Sequence, residues 1–126
     1  MTPNRFLTLH PHLVRWARRN AERALHRCEF LVADLEAAVA AIGQPQDTEG
    51  LSHYRRQLHR EYNHQAQIAE LSLARLEDLG PAVGTTYALA ELRARGGEIA
   101  KRWERVLGTW EALAGATVRR LEAARE

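Results

Sequence analysis

The stretch Val14-RWARRNAERALHRCEFLVADLEAAVAA-Ile42 decides the fold. Within it Val14, Ala17, Ala21, Ala24, Cys28, Leu31, Leu35, Ala38 and Ile42 are spaced 3-4-3-4-3-4-3-4, an apolar seam unbroken over four heptads. Leu25, Val32 and Val39 repeat every seven residues beside that seam and widen the apolar face beyond a two-stranded stripe. A face of this width suits a helix with neighbours on two sides, hence a bundle. Pro11 fits the first turn of such a helix, and Gly43 followed by Pro45 forms a stop signal, so the first helix is expected over 11–42. Thr2-Pro3 is expected to open a short extra N-terminal turn whose Phe6 and Leu9 fold onto the bundle.

Outward from this helix the same periodicity recurs twice. Gln44 to Gly50 is the most polar stretch and reads as a loop, with Asp47 as N-cap of a second helix over 50–79 that Gly80-Pro81 terminates. Its seam begins Leu51, Tyr54, Leu58 and resumes Ala69, Leu73, Leu76. Between them a strict register places Glu61 and Gln65 inward, whereas a stutter brings in Tyr62 and Ala66. Ile68 to Leu79 is apolar nearly all round and is expected to be the most buried segment. A third helix over 85–124, capped by Thr85 or Thr86, carries Leu89, Leu92, Gly96, Ile99, Trp103, Val106, Trp110, Leu113 and Thr117 at alternating spacings of three and four. The pair Gly96-Gly97 predicts a kink there or the close approach of another backbone. Short loops between long helices imply antiparallel neighbours. The expected fold is therefore all-α, one domain over 1–126, an up-down-up antiparallel bundle of three long helices.

Bulk composition agrees. The chain has 126 residues, 45% hydrophobic and 27% charged, with few strand formers and no strand–helix alternation of a nucleotide-binding sheet. No apolar run reaches the ~18 residues of a membrane span. Met1 to His12 lacks the charged-then-apolar plan of a secretory signal, so a cytoplasmic protein without membrane association is expected. Cys28 is the single cysteine, which leaves no internal disulfide and no multi-cysteine metal site. It sits among alanine and leucine on the seam and reads as a small buried hydrophobe. No nucleophile elbow, phosphate-cradling glycine loop or dinucleotide fingerprint is present, and no enzymatic activity is expected.

Three constellations remain. Trp16 and Phe30 lie off the seam of the first helix, fourteen residues apart and thus on one outer stripe, with Arg23 midway between them. Aromatics are enriched at the centres of protein–protein contacts, so these three residues are expected at an interface with a second copy or with subunits of a larger assembly. The bland alternative is that the N-terminal turn covers Trp16 and that Phe30 sits at a helix boundary. Second, charge is blocked along the chain within a net total of +2, and all basic residues but Lys101 are arginine. Arg15, Arg18, Arg19, Arg93, Arg95, Lys101, Arg102 and Arg105 would form a strip able to track a nucleic-acid backbone. The simpler account has the basic end meeting Glu70, Glu77 and Asp78 at the acidic end of the second helix.

Third, Glu61-Tyr62-Asn63-His64 matches the Glu-x-x-His spacing of carboxylate-bridged di-iron bundles, in which i and i+3 side chains chelate one ion. One such motif, with Glu29 and Glu36 beside and not on the first seam, leaves a ligand set for iron or zinc incomplete. The leading expectation is thus a non-enzymatic interaction or assembly subunit without a cofactor. A nucleic-acid-binding subunit and a ferritin-like metal-binding half-bundle stand as alternatives.

Overall fold

The computed structural model describes residues 3–42, 48–79 and 85–125, with side chains from residue 10, 51 and 88 onward in the three helices, Thr117 and Arg120 excepted. Three helices account for nearly all of them: α1 (Pro3–Ala40), α2 (Thr48–Asp78) and α3 (Thr85–Arg125). The loop and capping positions Gly43 to Asp47 and Gly80 to Gly84 lie outside the described residues, as do the side chains of Phe6, Leu9, Thr85 and Thr86.

Cross-helix contacts fix directions and register. Against α1, His10 meets Leu79, Trp16 meets Arg75 and Cys28 meets Tyr62, so numbers rise along α1 as they fall along α2. Glu77 to Arg93, Tyr62 to Trp103 and Arg55 to Trp110 make α2 and α3 antiparallel as well. Between α1 and α3 the pairs Glu29–Arg95 and Glu36–Arg102 share one sequence offset, 66 residues, which makes those helices parallel in constant register. The bundle is up-down-up. It is also staggered. The long arginine side chains reach along the bundle, and at the backbone Gly96 lies against Leu25. The first part of α1 therefore precedes α3, and the last part of α3 runs on past α1.

The seam of α1 is the spine of the core. Ala17, Ala21, Ala24, Cys28, Leu31 and Leu35 are buried, with Leu25, Val32 and Val39 beside them. Alanine here brings the helix axes close, while the leucines further on fill a wider gap. One hydrophobic cluster joins this spine to Leu58, Tyr62, Leu73 and Leu76 of α2 and to Leu92, Ile99, Trp103 and Val106 of α3. In α2 the stutter prevails: Tyr62 is buried and Ala66 packs on the core, whereas Glu61 is exposed. Tyr62 stacks on Trp103 with ring centroids 4.1 Å apart and planes 8° from parallel, and His59 meets the same indole edge-on at 5.6 Å. Two large rings in contact outweigh a strict heptad that would bury a carboxylate.

Four expectations need correction. The first helix starts at Pro3, not Pro11, and among the described residues its N-terminal part is one continuous helix instead of a separate turn. Pro11 therefore lies inside the helix, where it removes one bond to the preceding turn and its ring crowds the carbonyl four residues earlier. Next to it His10 Nε2 donates to the Leu79 carbonyl at 2.5 Å, tying this end of α1 to the end of α2. Second, Ile68 to Leu79 is not the most buried segment, since Leu71 is 64% exposed and the middle of α1 is buried more completely. A helix with neighbours on two sides still keeps an outer face. Third, Tyr54 leaves the α2 seam and is 39% exposed, and Arg55 turns to α3 in its place, its guanidinium 4.7 Å from the Trp110 ring centroid.

Fourth, Gly96-Gly97 does not interrupt α3, whose helical hydrogen bonding continues through both. A Cβ at Gly96 would touch Leu25 Cδ2 at 3.4 Å, and one at Gly97 would meet nothing within 4 Å. Glycine is required at neither position. Gly97→Ala is expected to stabilise the fold by about 0.5–1 kcal/mol through helix propensity, read as a higher urea midpoint with unchanged slope.

Candidate functional site

The α1 stripe that carries Trp16, Arg23 and Phe30 faces outward beside α2, on the side away from α3. Trp16 is 54% exposed and Phe30 63%, both in the interior of a continuous helix. Neither the N-terminal segment nor a helix boundary accounts for them. Two open cavities mark this face, and among the described residues both are lined by α1 and α2 alone. The larger, about 820 Å³, has Arg27, Phe30 and Asp34 on one wall and Tyr54, Arg60 and Glu61 on the other. The smaller, about 560 Å³, sets Trp16 against Leu71 and Arg75, with the Arg75 guanidinium 5.9 Å from the Trp16 ring centroid. Both lie in the outer groove between α1 and α2; they share no lining residue, each holds one exposed aromatic of α1, and charges of both signs line the larger beside Phe30. The exposed Arg23 lies on the same stripe, one heptad from each aromatic.

Leu71 and Tyr54 belong to this surface, although Tyr54 falls on the α2 seam and Leu71 within the stretch expected to be most buried. For Leu71 the signal is the width of the apolar arc. Ile68 to Leu79 is wider than two neighbours can cover, so some of it has to face out.

The basic residues are largely engaged with acids. Arg93 pairs with Glu77 at 2.7 Å, Arg95 with Glu29 at 2.7 Å and Arg102 with Glu36, while Arg18–Glu22 and Lys101–Glu98 pair within their own helices. Antiparallel matching to α2 thus describes Arg93 only. Arg95 and Arg102 turn instead to α1, because parallel helices at a constant offset bring Glu29 and Glu36 beside them. The hydrogen bond from Arg95 holds the Glu29 carboxyl below its ordinary range, and Glu36 raises the Arg102 guanidinium further. Arg15 and Arg19 on α1 and Arg105 on α3 are exposed.

Glu61 and His64 are both exposed on α2. Glu61 shares its cavity with Arg27 and Arg60, cations that oppose a metal ion there. Glu29 and Glu36 are held by arginines on the other side of α1. Among the described residues no group of three or more His, Cys, Asp or Glu side chains is placed to hold a metal. Cys28 is buried, its thiol donates towards the Tyr62 carbonyl at 4.0 Å, and burial pushes its pKa up to about 11. A thiol so raised keeps its proton at neutral pH and is a poor nucleophile. Tyr62 is likewise pushed up to about 12, chiefly by burial. No helix among the described residues is long and apolar enough to cross a membrane. Comparison with protein-family models, with curated proteins and with solved structures gave no match.

Proposed function

We propose that this chain is a non-enzymatic helical-bundle assembly subunit that associates with itself through the outer groove of α1 and α2. The observation that carries the reading is the run of large apolar side chains on that face, Trp16 and Leu71 at one end and Phe30 and Tyr54 at the other. Single exposed hydrophobes are ordinary, but four along one groove in two aromatic layers are the pattern of a contact. Arg23, Arg27 and Arg75 between and beside them fit the arginine enrichment of such surfaces.

Total area points the same way. The chain exposes 8726 Å², whereas a folded monomer of 14.3 kDa is expected to expose about 6,800 Å². A slender, staggered bundle has too few layers to cover itself. An ordinary interface removes about 800 Å² per partner, well within that excess.

Light scattering on the purified chain tests the proposal. The expected mass is that of a multiple of the 14.3 kDa chain, falling towards the monomer for Trp16→Ala and Phe30→Asp. A wild-type protein that stays monomeric at high concentration, unaltered by either change, overturns it.

A further inference from the structure

We infer that the occupant of the groove is the same groove of a second copy, related by a twofold axis parallel to the helices, so that α1 of each chain lies over α2 of its partner. The inference rests on the self-association proposed above and adds its geometry. Two face-to-face arrangements have twofold symmetry, and the charges on this surface separate them.

With the axis across the helices through the level of Arg23, α1 lies antiparallel on its own copy. Trp16 then meets Phe30, but Arg23 falls on Arg23 and Arg19 on Arg27. Stacking like charges along an interface is strongly unfavourable. With the axis along the helices every level meets itself, and α1 covers the partner's α2. Within one chain the register already sets Trp16 beside Leu71 and Arg75, and the larger cavity gathers Phe30 with Tyr54 and Arg27 with Glu61. The twofold repeats each of those pairings between chains. Trp16 gains the partner's leucine and guanidinium, Phe30 gains its tyrosine, Arg27 comes over its adjacent Arg60 and Glu61, and Asp34 supplies a second carboxylate to that arginine. The result is a four-helix core of two α1 and two α2, with α3 of each chain on the outside.

Charge exchange distinguishes this geometry from self-association as such. The variants Arg27→Glu and Glu61→Arg are purified separately and shown by circular dichroism to be folded. Their association is measured by sedimentation, alone and as an equimolar mixture. Each variant alone should dissociate at about tenfold higher concentration or more, because two like-charged contacts replace two attractive ones. The mixture should recover a dimer near wild-type affinity. In it the Arg27→Glu chain offers acids at positions 27 and 61 to the arginines at positions 61 and 27 of the Glu61→Arg chain. Recovery by mixing cannot come from contacts inside either chain. A wild-type dimer that both single variants leave unchanged, or one weakened without recovery on mixing, overturns the parallel axis and leaves self-association standing. A wild-type monomer overturns both.

Discussion

Trp103→Ala is expected to cost about 3–5 kcal/mol of folding stability, a large share of the roughly 5–15 kcal/mol available to a domain of this size. Trp103 is buried where α2 and α3 meet, flat against Tyr62 and edge-on to His59. Truncation removes two ring contacts at once and leaves a space that cannot close, because both neighbouring rings extend from rigid helices. Trp103→Phe keeps a ring over Tyr62 and should lose markedly less. Urea denaturation followed by far-ultraviolet circular dichroism measures both without relying on indole fluorescence. A loss below about 1 kcal/mol for the alanine variant would show that the stack is not a principal link between α2 and α3.

That stack also shows where periodicity stops being sufficient. The α1 seam can be read residue by residue, because nine positions alternate by three and four without exception and each of them is buried or partly buried. In α2 the pattern breaks between Leu58 and Ala69, and two registers fit the spacing equally well. What selects Tyr62 over Glu61 is the indole on another helix, a long-range contact that no local window contains. Periodicity misplaces Tyr54, and the apolar composition of Ile68 to Leu79 misplaces Leu71, for a related reason. Each identifies an apolar arc but not how many neighbours arrive to cover it, and here α2 has two.

The candidate surface is legible in part. Trp16 and Phe30 stand out because they interrupt a polar face in the middle of a long helix. Their partners across the groove do not stand out, since on α2 they sit within an already apolar arc. The charge pattern misleads in another way. Alternating basic and acidic blocks suggest pairing with the antiparallel helix, but the stagger fixed by the offset of α1 and α3 hands Arg95 and Arg102 to Glu29 and Glu36. Stagger depends on how loops and cores fit together, so composition along a single chain does not specify it. The same two pairs draw their glutamates away from the Glu61–His64 side of the bundle. Partly exposed pairs of this kind contribute little stability each.

Leu35→Ala is the second large effect, with an expected loss of about 2–5 kcal/mol. Leu35 is fully buried on the α1 seam, and its side chain is among the largest in the structure with no accessible surface. Its environment lies wholly within one chain, so the loss should be the same at every protein concentration. Phe30→Ala, five residues away on the same helix but 63% exposed, should behave in the opposite manner. It should leave the isolated protomer within about 0.5 kcal/mol of wild type and lower only the concentration-dependent part of the stability. Denaturation curves at several protein concentrations separate the two behaviours. If the deficit of Leu35→Ala relative to wild type varied with concentration while that of Phe30→Ala did not, the assignment of seam to core and of outer stripe to contact would be reversed. Equal insensitivity of wild type and Phe30→Ala to concentration would instead confine the role of Phe30 to the surface of a monomer.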